Sequence, residues 1–235
     1  MSSSIHTLWV SVPSGGGAFD AYLALPPAGS GPGLVLYQEI FGVNEHIRTV
    51  AEQYALDGFV VLVPDIFWRQ QPRIELGYDA DDRARGVALA SALKPEQLMM
   101  DMRAAVDALR GLAQVGGRKV GAMGYCMGGR LAYMSAALAE IDAAVSYYGG
   151  GIHDQLHLVS GIHCPTQFHY AERDDHIPMS AVARVREAFA GKICEVHVYD
   201  GAMHGFNCWQ RASYHAPSAA VAHGRALRFL AGHLF

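Results

Sequence analysis

The sequence predicts an α/β domain: a mostly parallel sheet wrapped by helices on both faces. Three observations carry this. Continuous apolar runs such as Gly33-Leu34-Val35-Leu36-Tyr37-Gln38 and Phe59-Val60-Val61-Leu62-Val63-Pro64 suit strands buried on both faces. Segments with helical periodicity alternate with those runs. At 235 residues, half of them apolar, the chain fits one domain with a large core, taken as residues 1–235.

In chain order, Thr7–Val12 and Ala21–Leu25 read as short strands joined by a Gly-rich hairpin signal at residues 14–17. After the first buried run, Glu39-Ile40-Phe41-Gly42-Val43 reads as a loop. Asn44 then caps a helix that Gly58 closes. The second buried run ends at Asp65. Residues from Trp68 to about Arg85 read as a polar, irregular excursion, too long for a minimal connection and therefore expected near a site. Pro95 to Leu112 carries a helical repeat (Leu98, Met99, Met102, Val106, Leu109) with Pro95 in its first turn. Strands follow at Val120–Met123, Ala143–Tyr148, Thr166–Ala171 and Cys194–Tyr199. Helices follow at Ala181–Ala190 and Ser218–Leu234. No repeat or linker divides the chain.

Composition narrows the function. A net charge of −4 with no basic cluster argues against nucleic acid or an anionic membrane surface. The start MSSSIHTLWV lacks the basic segment and apolar run of a secretory signal, and no stretch reaches membrane-span length. Cys126, Cys164, Cys194 and Cys208 are scattered without a C-x-x-C pair, which suits reduced thiols in a cytoplasm. His153 and His157 share an i, i+4 spacing, but no third ligand follows, so no metal and no cofactor is expected.

Gly124-Tyr125-Cys126-Met127-Gly128 sits between a small-residue strand and a helix-forming run. This is the nucleophile-elbow pattern with cysteine as nucleophile. The chain passes so close to itself in such a strained turn that side chains two residues either side have no room. At the helix N-terminus, N–H groups favour a thiolate or an acyl oxyanion. In a parallel sheet, function gathers at the carboxyl ends of the strands. Glu172, Asp174 and Asp175 follow one later strand, and His204 follows the next. Nucleophile, acid, histidine is the chain order of α/β-hydrolases. His204 is then the proton carrier. Asp174, four residues before Pro178, is preferred as the acid over Asp175 and Glu172. Backbone N–H groups of Met127 and Ile40 are the candidate oxyanion donors. Phe41, Tyr148, Phe206 and Trp209 are candidate pocket walls.

Gln38–Asn44 (QEIFGVN), Gly58-Phe59, Pro64-Asp65, Gly124–Gly129 (GYCMGG), Asp174 with Pro178, and His204-Gly205-Phe206 together resemble the dienelactone hydrolase family, over nearly the whole chain. The resemblance implies a single-domain α/β-hydrolase fold without a large lid. It further implies a Cys126-His204-Asp174 triad and hydrolysis of a small lactone or enol ester, as in carboxymethylenebutenolide breakdown. It also gives Glu39 a role beside the thiol, keeping the resting sulfur protonated and later accepting its proton. Well-known members hold the substrate carboxylate with two arginines. Arg83, with Arg85 close behind, matches the first, but Cys208 stands at the second position, leaving Arg211 as a replacement arm. Other readings are a broad carboxylesterase or thioesterase acting on a neutral ester, and a ligand-binding protein that has lost turnover. The expected partner is a small ester or lactone, with the chain a monomer or weak homodimer.

Overall fold

The computed structural model describes residues 4–235. Eight strands form one sheet in the order β1-β2-β4-β3-β5-β6-β7-β8. The strands are β1 (His6–Ser14), β2 (Gly17–Leu25), β3 (Gly33–Tyr37), β4 (Val60–Pro64), β5 (Val120–Tyr125), β6 (Ala143–Tyr147), β7 (Thr166–Ala171) and β8 (Cys194–Tyr199). β1 pairs with β2, and β2 with β4, in antiparallel register, while β4 through β8 are parallel. Every residue of β3, β4, β5, β6 and β7 is buried, as their apolar runs require of strands covered on both faces. β8 closes one edge, and its residues are only half-buried except Tyr199.

The helices are α1 (Glu45–Leu56), α2 (Ala80–Ser91), α3 (Pro95–Gly111), α4 (Met127–Leu138), α5 (Met179–Ala188) and α6 (Ala216–Leu234). α1 and α6 touch through Tyr54 and His223, and α3 packs beside α4. The side chain of Asn44 caps α1 by accepting from the Ile47 N–H at 3.3 Å. Its amide nitrogen donates to the Leu76 carbonyl and the Tyr78 hydroxyl, tying the excursion after β4 to the start of α1.

One expectation is corrected here. The excursion is not irregular to Arg85, because α2 begins at Ala80, capped by the Asp79 side chain on the Asp82 N–H. Only Gly86 of that helix is buried, so it carries no apolar stripe for a periodicity reading to find. The glycine run after β6 leads into two short 3₁₀ turns, Ile152–Asp154 and Leu156–Gly161. His153 and His157 fall on different turns, and the i, i+4 face of an α-helix does not exist there.

Candidate active site

Cys126 stands between β5 and α4 with φ 55° and ψ −116°, a strained conformation for a residue with a side chain. Its N–H donates to the Tyr147 carbonyl, which pins the turn to the neighbouring strand. The flanking glycines are required by close approach. A Cβ on Gly124 would strike the Gly128 backbone, and one on Gly128 would strike the carbonyls of Tyr37 and Gln38 at the end of β3. Met127 is the first residue of α4, so its N–H is one of the helix's orphan donors.

The loops after β7 and β8 bring the acid and the imidazole to that turn. His204 Nδ1 is 2.8 Å from Asp174 Oδ2, and both residues are buried. The other carboxylate oxygen, Oδ1, accepts from the N–H groups of His176 and Ile177 at 2.9 and 3.1 Å. Three donors therefore fix Asp174. Asp175 is exposed and lies 3.6 Å from His176, while Glu172 is exposed and accepts from the Gly201 N–H. Between the three candidate acids, only Asp174 meets the histidine. His204 Nε2 is buried without a conventional hydrogen-bond partner. Burial disfavours the imidazolium, but the Cys126 sulfur and Asp174 outweigh it and raise the ring's pKa.

Glu39, just beyond β3, is 3% exposed. Its Oε1 accepts from Arg211 Nη1 at 2.9 Å, and its Oε2 has no partner. Burial raises the carboxyl pKa, while Arg211 and His204 pull it back. Gly205, at φ 80°, leaves the room Arg211 occupies, since a Cβ there would collide with the guanidinium. Ile40 follows Glu39 in the turn, half-buried, with its carbonyl against Gly86 of α2.

A cleft of about 330 Å³ opens beside these groups, walled by Phe41, Tyr78, Arg83, Met203, Arg211 and neighbours. Arg83 reaches it from α2 and contacts His176 Nε2 at 3.2 Å. Other expectations are sorted differently. Arg85 turns away and donates to Gln71 at 2.7 Å. Phe206 is fully buried against Tyr147, Tyr148 and Tyr199, so it is core rather than pocket wall. Trp209 packs edge-on to His46 at 4.2 Å and borders a separate hollow with Asn207 and Tyr214. Tyr148 is fully buried and supports His204, with ring centroids 5.1 Å apart. Sequence reading missed Tyr78 and Met203. Asp79, a capping residue type ahead of Ala80, was the available signal that a helix would present Tyr78 at its mouth.

A strained cysteine elbow ahead of a helix, in an open sheet whose later loops supply an acid and then a histidine, defines the α/β-hydrolase class. Comparison with known proteins makes this particular. The profile of the Dienelactone hydrolase family matches residues 19–234. The carboxymethylenebutenolidase of Pseudomonas putida is 35% identical over 218 residues, 92% of either chain. That of Pseudomonas sp. strain P51 is 36% identical over 220 residues, covering 92% of this chain and 91% of the other. A crystal structure from Klebsiella pneumoniae, provisionally described as a dienelactone hydrolase, superposes with a TM-score of 0.88 at 28% identity, covering 98% of this chain and 100% of that one. This chain belongs to the dienelactone hydrolase family and is an ester hydrolase of that type.

Proposed function

We propose that the protein opens a small lactone or enol ester bearing a carboxylate, of the carboxymethylenebutenolide kind, through Cys126, His204 and Asp174. The observation that carries the reading is the buried His204–Asp174 bond beside the Cys126 elbow, at a cleft walled by two arginines.

In this reading the Cys126 thiolate attacks the lactone carbonyl. The oxyanion sits at the N–H groups of Met127 and Ile40, where losing one donor typically costs roughly 3–4 kcal/mol of barrier. Collapse breaks the ring C–O bond, and the departing enolate oxygen takes a proton from His204, which its raised pKa keeps as an imidazolium before the attack. Water then loses a proton to His204 and attacks the thioester, releasing the acid and restoring the sulfur. Arg211 has two tasks. It walls the cleft and it holds Glu39, so a substrate carboxylate arriving between Arg83 and Arg211 competes for that guanidinium. The loosened, pKa-raised Glu39 becomes the acceptor for the thiol proton and returns it to the sulfur once the acid has left. Arg211 thus supplies the arm that Cys208 cannot.

The protein acts as one catalytic unit over residues 1–235. Its four cysteines are free, which suits a reducing cytoplasm. No helix among the described residues is long and apolar enough to cross a membrane.

Cys126→Ala tests the reading. Hydrolysis of a dienelactone and of activated esters should both disappear while the far-UV spectrum is retained, and undiminished turnover would refute it. Methyl esterification of the substrate's carboxylate should lower kcat/KM. Equal rates for acid and methyl ester would favour the broad esterase reading instead.

A further inference from the structure

Glu39, His46 and Cys208 come from the turn after β3, the first turn of α1 and the loop beyond His204. Each offers a ligand atom within 4.8 Å of the others. All three are buried, at 3%, 1% and 0% exposure. Neither ring nitrogen of His46 has a hydrogen-bond partner, and Glu39 Oε2 has none. A buried polar atom left unpaired costs ~1–3 kcal/mol, and an occupant held by one His46 nitrogen, a Glu39 oxygen and the Cys208 sulfur would relieve that cost.

We propose that Glu39, His46 and Cys208 form a buried site for a zinc-class divalent cation, separate from the Cys126–His204 pair. The donor set selects the ion. Imidazole nitrogen, thiolate sulfur and one carboxylate oxygen suit Zn²⁺ or Co²⁺, whereas Mg²⁺ and Ca²⁺ demand oxygen shells. Three protein ligands leave a fourth position for a water molecule. On binding, the Cys208 S–H bond breaks, its proton goes to solvent and an S–metal bond forms. His46 and Glu39 donate existing lone pairs, and no electron is transferred. The Arg211 guanidinium bonded to Glu39 opposes the ion, as does the His204 ring when protonated, and the thiolate charge formed on binding offsets part of this repulsion. Resting on the role proposed for Glu39, the occupied site withholds that carboxylate from the thiol and is inhibitory.

The binding test uses the full chain carrying Cys126→Ser, which removes the nucleophilic sulfur as a competing ligand. Metal-free protein is titrated with Co²⁺, following the thiolate-to-cobalt absorption band, and with Zn²⁺ by calorimetry in buffers of differing ionisation heat. About one equivalent should bind with release of about one proton. Adding Cys208→Ala should abolish the band and weaken Zn²⁺ at least about tenfold, and His46→Gln should weaken it similarly. No band in Cys126→Ser, or a band surviving Cys208→Ala, overturns the site. The latter would assign the sulfur to Cys164 or Cys194, and calorimetry without heat would mean that water fills the space. Hydrolysis is assayed separately in protein with Cys126 intact, where Zn²⁺ inhibition should be reversed by chelator and lost in Cys208→Ala. A protein that binds the ion without ever hydrolysing an ester refutes the proposed function and leaves the metal site standing.

Discussion

Asp174→Asn distinguishes a positioning carboxylate from a merely nearby one. The native Oδ1 accepts two backbone N–H groups, from His176 and Ile177, and Oδ2 faces His204 Nδ1 at 2.8 Å. An asparagine must keep its carbonyl oxygen on the two N–H donors, because reversing the amide would oppose donor to donor twice. Its NH₂ is then directed at His204 Nδ1. That nitrogen must become an acceptor, so the proton moves to Nε2, the nitrogen that should take the proton of the attacking water. The fold keeps its shape while the tautomer is wrong. In the serine-protease triad the corresponding change lowers kcat by about 10⁴, and a loss of about 10³–10⁴ here corresponds to roughly 4–5.5 kcal/mol of barrier. The assay is kcat/KM on a dienelactone and a nitrophenyl ester, with the thermal midpoint as a check on folding. A well-folded variant within tenfold of the unmodified protein would refute the tautomer reasoning.

Glu39→Gln removes a buried negative charge and frees the Arg211 cation, both of which favour a thiolate at Cys126. Alkylation by iodoacetamide at neutral pH should speed up by up to about tenfold, the equivalent of one pKa unit, and an unchanged or slower rate would remove this account of Glu39. Gly128→Ala places a Cβ 2.5 Å from the Gln38 carbonyl and nearer still to that of Tyr37. Neither backbone atom yields easily, so the urea midpoint should fall by the equivalent of about 1–3 kcal/mol. Turnover should drop as well, since Glu39 and Ile40 follow directly, and wild-type values for both would contradict the close approach. His46 has its pKa lowered to about 4, by burial first and then by Arg211. The unfolded chain binds this proton near pH 6.5, so the stability is intact above that pH and lost as pH falls toward 4. The loss amounts to roughly 3 kcal/mol. His46→Gln should flatten that part of a stability-versus-pH curve, and an unaltered slope would show His46 uninvolved.

Local sequence determined what depends on local geometry. Glycines two residues either side of Cys126 specify a turn that only they permit. Asn44 specifies a helix start. Uninterrupted apolar runs specify strands covered on both faces. The chain order of Cys126, Asp174 and His204 specifies the kind of site, because a parallel sheet delivers strand ends to one edge. Tertiary structure decided what depends on which way side chains turn. Asp174 and Asp175 are adjacent and chemically alike, and only the arrangement of the His176 and Ile177 N–H groups turns one of them to His204. Phe206 and Trp209 are both large aromatics just past the histidine, yet one is sealed in the core and the other faces a different hollow. α2 escaped notice because its stability comes from an Asp79 cap and the seating of Gly86 on the Ile40 carbonyl, neither of which leaves a hydrophobic period. Arg211 meets Glu39 across 172 positions of chain. No spacing rule reaches that far, because the pairing is set by how the last loops fold over the end of β3.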